Sequence, residues 1–236
     1  MNKTNFKIKI FFIFLFWVIS VGLTRTTLVL PETGLPFSIG EEIPSLKKYY
    51  GTKLFNSEQN TPPESDQNFQ DISFQSFVNR VVDGEKKSVR GIYSEGVLAF
   101  PVVKQPDNQP GFVSSIDGVV TEFSLASSNG VTGLLAHNYL SGRYFYNIDI
   151  GDEIQIIYGD GAIKSYKVIA FEQYQALQPD SPHSRFVDLE SGEQLSATDL
   201  FKRVYLGDHH LTLQTCIQEG GVDSWGRLFI IADPIL

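Results

Sequence analysis

The feature that most constrains the fold is a series of short runs, rich in β-branched and aromatic residues, that fill the chain from about residue 72 onward. The runs are GVLAFPVV (96–103), VTGLLAHN (131–138), DEIQIIY (152–158), SYKVIAF (165–171), HLTLQTCI (210–217) and WGRLFIIA (225–232). Each has the length and composition of a strand. Many short strands are typical of an all-β barrel or sandwich and not of an α/β sheet.

Two local signals add detail to this pattern. Gly159-Asp160-Gly161 separates two of the runs and predicts a β-hairpin. The segment SATDLFKR predicts one helix, in which Ser196 or Thr198 caps the N-terminus while Leu200 and Phe201 face inward.

The first 30 residues predict export. Three lysines precede an uncharged run at residues 10–24, and after Arg25 the apolar character continues to Leu30. About 20 residues span a bilayer core, so residues 10–30 suffice if Arg25 snorkels to the interface. The lysines predict a single-pass anchor in the cell membrane with the remaining chain outside. The alternative is a cleaved signal peptide, for which Ser20-Val21-Gly22 provides a cleavage site.

Composition changes divide the chain into three parts. Residues 1–30 form the predicted cytoplasmic N-terminus and anchor or signal peptide, and residues 31–71 form a polar linker. The linker ends in EQNTPPESDQNFQD, which contains two prolines and no basic residue. Residues 72–236 form the predicted β-rich domain.

Charge and cysteine content exclude some classes of protein. The net charge of −8 argues against nucleic acid as a partner, because phosphate binding needs a basic face. Cys216 is the single cysteine, so no disulfide can form within the chain.

Three side chains at predicted strand ends have the chemistry of a thiol-dependent active site. Cys216 ends one strand, Arg227 lies in the next, and His137 closes the earlier run GLLAH. An antiparallel hairpin brings Cys216 and Arg227 to the same end of the sheet. Taken one by one, each also fits a structural role: a small core residue, a solvated charge and a hydrogen-bonded surface histidine.

The sequence motifs around these residues resemble those of the sortase family. TLQTC at residues 212–216 is similar to the sortase signature TLxTC, in which the cysteine is the nucleophile. The family also has an upstream histidine that ends a strand and an arginine on the strand after the cysteine, and His137 and Arg227 match both in order. The similarity covers about residues 90–236, but residues 171–205 do not align with a particular sortase class.

The resemblance implies a closed, sortase-like β-barrel of about eight strands with one or two short helices. It also implies a cysteine transpeptidase of the hydrolase class, which cleaves an LPxTG-like signal through a thioester. Cys216 then attacks, His137 is the general acid and base, and Arg227 stabilises the oxyanion and the thiolate. The implied partners are surface proteins that bear a sorting signal and an amine acceptor on the cell wall or another protein.

Two alternatives stay open. One is a non-catalytic, sortase-shaped module that binds a partner at the cell surface, with Cys216 in a structural role. The other is a cysteine endopeptidase that uses water as the acceptor. A papain-like site is disfavoured, because in papain-like enzymes the cysteine precedes the histidine in the chain.

The expectations for binding residues are weaker. Thr215 and Gln214 adjoin the cysteine and are expected to line the substrate groove. No cofactor or metal is expected. The alternative is calcium, which some sortases bind, at the acidic residues Asp149, Asp152, Glu153 and Asp160.

A second motif lies near the N-terminus. Leu30, Pro31, Glu32, Thr33 and Gly34 spell LPETG, the sorting signal that bacteria place near the C-terminus of cell-wall proteins. Its position excludes an ordinary sorting signal. Since sortases cut L-P-x-T-G between Thr and Gly, we predict a self-recognition segment, either a pseudosubstrate or a self-processing site. The alternative is a chance match beside a membrane segment.

Overall fold

The computed structural model describes residues 72–236, whose strands close into a barrel. Eight strands follow one another around it in the order β10-β9-β4-β3-β2-β1-β5-β6, and β6 pairs with β10 to close the ring. The pairs β2–β3 and β4–β9 are parallel, and the others in the ring are antiparallel. The strands are β1 Val89–Ser94, β2 Leu98–Lys104, β3 Val120–Glu122, β4 Thr132–Leu135, β5 Glu153–Tyr158, β6 Ile163–Ala176, β7 Phe186–Asp188, β8 Gln194–Leu195, β9 Leu211–Glu219 and β10 Val222–Pro234.

Short helices complete the described part of the chain. They are α1 Phe74–Val81, α2 Ser124–Ser128, a 3₁₀ helix Ser141–Asn147 and α3 Ala197–Tyr205. Strands β7 and β8 lie outside the ring and extend the sheet from β6. The closed all-β barrel confirms the predicted fold class, with more short helices than the one or two expected.

The barrel interior is filled by alternate residues of the strands. Leu211 and Leu213 of β9, Ile230 of β10 and Leu134 of β4 are fully buried in this cluster. Because side chains alternate along a strand, the residues between them face outward. On the β4, β9 and β10 side, those outward residues are covered by a second core.

The second core lies between the outer face of the barrel and α3. Leu200 and Tyr205 of α3 pack with Phe229 of β10 and Tyr174 of β6. The segment 171–205, which does not align with a particular sortase class, builds most of this layer: the end of β6, then β7, β8 and α3. It therefore covers the outer face of the strand that bears Cys216.

Local signals in the sequence explain several of these elements. The predicted hairpin joins β5 to β6, and Gly161 adopts a φ of +86° there, which favours glycine. Ser196 is the N-cap of α3, and its hydroxyl accepts a hydrogen bond from the amide of Asp199 at 3.1 Å.

Several predictions lie outside the described residues. They are the membrane anchor or signal peptide at residues 1–30, the linker at 31–71 and LPETG at 30–34. Within residues 72–236, no helix has the length and apolar character needed to cross a bilayer.

Candidate active site

Cys216 lies on the outer face of the barrel, near the end of β9. It shares this face with Thr212 and Gln214, because Leu211 and Leu213 point into the interior. Only 5% of Cys216 is exposed, so the thiol is covered by neighbouring groups and not open to bulk water.

Arg227 is the direct cross-strand neighbour of Cys216. The register of β9 with β10 places the two residues opposite each other, so their side chains lie on the same face. Arg227 is 1% exposed, and its Nη1 donates to the carbonyls of Ser224 at 2.7 Å and Gly226 at 2.8 Å. These bonds hold the guanidinium in place beside the thiol.

His137 lies on the other side of Cys216. Strand β4 runs parallel to β9, with Leu135 opposite Gln214. One residue further, the amide of Ala136 donates to the carbonyl of Gln214 at 3.1 Å, and the Thr215 hydroxyl donates to the carbonyl of Ala136 at 2.9 Å. The next residue is His137, just after the end of β4, so His137, Cys216 and Arg227 lie on three neighbouring segments of the chain in that order.

The surroundings of His137 favour its neutral form. Burial lowers the pKa of His137, and a hydrogen bond with the backbone of Val113 opposes this effect. The Tyr139 ring stacks on the imidazole with 5.2 Å between centroids. A neutral imidazole can accept a proton, which a general base must do.

The thiol is also held in its neutral form. Burial raises the pKa of Cys216 and is the largest influence; Arg227 lowers that pKa, and Asp223 raises it. Burial likewise lowers the pKa of Arg227, while Cys216 and Asp180 raise it. The expected thiolate-stabilising effect of Arg227 is therefore present, but the effect of burial on the pKa of Cys216 is larger.

The structure places Thr215 and Gln214 in buried positions with structural hydrogen bonds. Gln214 accepts from the Tyr205 hydroxyl at 2.6 Å, on the side of the second core. Thr215 is tied to Ala136, as described above. Both side chains fix the strand beneath Cys216, and their role in substrate binding stays a prediction.

Sequence reasoning missed two groups that touch the site. The Tyr146 hydroxyl donates to the carbonyl of Cys216 at 2.8 Å, and the backbone of Val113 raises the pKa of His137 against the effect of burial. Tyr146 lies on the 3₁₀ helix and Val113 on the loop between β2 and β3, and both are distant in sequence from Cys216. The only signal for Tyr146 was that the aromatic segment SGRYFYN follows His137 closely.

The acidic residues considered for calcium have local roles in turns. Asp152 accepts from the amide of Asp149 at 2.8 Å, and Asp160 accepts from the amide of Ala162 at 3.1 Å. Among residues 72–236, no three His, Cys, Asp or Glu side chains are grouped to hold a metal ion. Calcium binding stays untested.

Comparison with known proteins yields structural matches alone. No protein-family model matches the sequence, and no curated protein matches it. Among solved structures, the chain resembles sortases. Sortase A of Listeria monocytogenes has a TM-score of 0.41 at 13% identity, over 63% of this chain and 88% of that one. Sortase C1 of Streptococcus suis has a TM-score of 0.42 at 17% identity, over 63% and 73%. Sortase C of Clostridium perfringens has a TM-score of 0.39 at 14% identity, over 82% and 87%.

Proposed function

We propose that this chain is a membrane-tethered, extracytoplasmic cysteine transpeptidase of the sortase type, within the hydrolase class. One observation is decisive for this proposal: Cys216 lies directly opposite Arg227 and beside the strand end that bears His137. A thiol nucleophile and a base are the groups that acyl transfer through a thioester needs, and a fixed cation can stabilise the negative charge that develops. The N-terminal sequence supports the tether, and the proposed location is the outer face of the cell membrane.

In the first half of the proposed reaction, the Sγ of Cys216 attacks the threonine carbonyl of an LPxTG-like signal. The thiol proton passes to the neutral imidazole of His137, and the carbonyl oxygen becomes an oxyanion. When the tetrahedral adduct collapses, the C–N bond breaks and His137 returns the proton to the departing glycine amine. The product is a thioester on Cys216.

In the second half, an amine attacks the thioester carbonyl and loses a proton to His137. The C–S bond breaks, and the departing thiolate takes that proton back. The proposed partners are surface proteins with a sorting signal and an amine on the cell wall or another protein. Water in place of the amine would make the same site an endopeptidase.

The guanidinium of Arg227 suits two moments of this cycle. Negative charge forms first on the oxyanion and later on the leaving thiolate, and a buried cation opposite Cys216 attracts both. Because Arg227 keeps its charge across the physiological range, it does not compete with His137 for the transferred proton.

The chain supplies a candidate substrate of its own. Leu30–Gly34 reads LPETG, and we propose this segment as a cis substrate or pseudosubstrate. Cleavage at Thr33–Gly34 would release residues 34–236 from the predicted anchor.

The test uses the full-length protein in detergent micelles with a peptide copying residues 26–39. Intact-mass spectrometry follows protein and peptide with and without triglycine. We expect a thioester adduct on Cys216, joining of triglycine to Thr33 and an endogenous fragment that begins at Gly34. Cys216→Ala and His137→Ala serve as controls and should abolish all three products.

The outcomes separate the proposals. An alkylable Cys216 without adduct or cleavage would mean that LPETG is not the signal of this enzyme. A Cys216 that resists alkylation at every pH in the folded protein would contradict the enzyme and favour the non-catalytic binding module.

A further inference from the structure

Strand β4 ends beside the proposed nucleophile. Two carbonyls of the β9 segment accept hydrogen bonds from the β4 side: His210 from the amide of Thr132 at 3.0 Å, and Gln214 from the amide of Ala136 at 3.1 Å. Alternate carbonyls of a strand point the same way, so the next carbonyl in this row is that of Cys216. No residue of β4 lies opposite Cys216, because β4 ends at Leu135 and the chain turns away after His137.

At this position a side chain, and not a strand amide, donates the hydrogen bond to β9. The Tyr146 hydroxyl donates to the carbonyl of Cys216 at 2.8 Å, across 70 positions of sequence. Tyr146 belongs to the 3₁₀ helix, which packs against the end of β9. The tyrosine therefore replaces a strand amide as the hydrogen-bond donor at Cys216, the residue of β9 that must be fixed in position for the proposed chemistry.

The same helix, together with its N-cap residue Leu140, is also bonded to the histidine. The amides of Leu140 and Gly142 donate to the carbonyl of His137 at 3.0 Å and 2.9 Å. Space at this contact is tight, since a Cβ on Gly142 would lie 2.7 Å from that carbonyl oxygen. A single short element thus contacts the backbone of both His137 and Cys216.

We infer that Tyr146 is a positioning residue, which fixes the backbone of Cys216 relative to His137 through its hydrogen bond to the Cys216 carbonyl. The inference rests on the proposed function for its catalytic consequence. The structural part of the inference, that Tyr146 acts as a local clamp on the end of β9, does not depend on the proposed function. Loss of the hydroxyl should let residues 216 and 217 open more often without unfolding the barrel.

The test compares full-length wild type, Tyr146→Phe and Tyr144→Phe in detergent micelles. Tyr144 is the matched control, because its hydroxyl is on the same helix and contacts Arg143 instead of Cys216. Three quantities are measured: hydrogen exchange at the amides of residues 216 and 217, alkylation of Cys216 by iodoacetamide, and kcat and KM for the peptide of residues 26–39. Thermal unfolding checks that each variant is folded.

For Tyr146→Phe we expect local exchange and alkylation to rise about three- to tenfold, the factor that a net hydrogen bond supplies. Exchange at Leu213 and the unfolding midpoint should stay near wild type, and kcat should fall while KM holds. Tyr144→Phe should match wild type throughout.

Two results would overturn the inference. One is exchange and alkylation that stay at wild-type rates in Tyr146→Phe. The other is a rise in KM alone, which would make the hydroxyl of the half-exposed Tyr146 a substrate contact. Faster local exchange in a protein whose wild type never acylates would instead refute the proposed function and leave the clamp intact.

Discussion

At Cys216, two charges of opposite sign change the pKa of the thiol in opposite directions. Arg227 lowers this pKa and Asp223 raises it, against a larger rise from burial. A raised pKa leaves less thiolate at neutral pH than a free cysteine has, so alkylation should increase with pH up to and beyond the usual thiol pKa. We expect Asp223→Asn to move the alkylation profile to lower pH and Arg227→Gln to move it to higher pH, as measured by iodoacetamide labelling across pH.

Two further variants control for the fold. Arg227 is buried, so Arg227→Lys, which keeps the charge, should shift the profile less than Arg227→Gln does. Arg185→Gln removes an exposed charge from the loop after β6 and should leave the profile unchanged. A profile that moves the same way in Asp223→Asn and Arg227→Gln would contradict the electrostatic assignment.

The 3₁₀ helix depends on glycine at its second position. A Cβ at residue 142 would lie 2.7 Å from the carbonyl oxygen of His137 and 2.9 Å from that of Ala136, and it would also meet the Thr215 hydroxyl. The two carbonyl oxygens belong to the backbone and cannot move aside as a flexible side chain can. Gly142→Ala should therefore lower the free energy of unfolding by about 1–3 kcal/mol. It should also slow thioester formation, because the helix must withdraw from both His137 and Thr215.

Asn147→Ala is the matched control for this prediction. Residue 147 is exposed at the other end of the same helix, so its substitution should change unfolding by less than about 0.5 kcal/mol. Chemical denaturation and the rate of acylation would be measured for both variants. A Gly142→Ala protein with wild-type stability and rate would contradict the close packing described here.

The elements that sequence predicted are those with a local signal. The hairpin at residues 159–161 and the cap at Ser196 each depend on a few neighbouring residues. Strand β1 gave no such signal, because all six of its residues are buried and no polar alternation marks it. The need for glycine at position 91 of this strand follows only from the tertiary structure, in which a Cβ would lie 2.9 Å from the Phe77 ring.

The same distinction holds at the site. Cys216 and Arg227 lie on the two strands of one hairpin, so their pairing could be predicted from their spacing in the sequence. His137 could be predicted because it ends the apolar run GLLAH and matches the sortase motif. Tyr146 reaches the site from the 3₁₀ helix and the backbone of Val113 from the loop before β3, both far from Cys216 along the chain. No periodicity or spacing predicts a contact of that kind.

For the whole molecule, β10 links the closure of the barrel to the proposed chemistry. It pairs with β9 on one side and β6 on the other, and it bears Arg227 on its outer face and Ile230 in the interior. Because removal of a fully buried isoleucine side chain leaves a cavity, Ile230→Ala should lower the free energy of unfolding by about 2–5 kcal/mol.

The control for Ile230→Ala is Ile163→Ala on β6, a residue that is 44% exposed and should cost less than about 0.5 kcal/mol. Denaturation would be followed by tryptophan fluorescence and circular dichroism in a Trp17→Phe background, so that Trp225 on β10, next to the site, is the fluorescent reporter. A closed ring has no free edge between these strands from which one part can separate, so both signals should move to lower denaturant together. Fluorescence that changes before circular dichroism would mean that β10 leaves the barrel first, and the site would then be less stable than the fold that supports it.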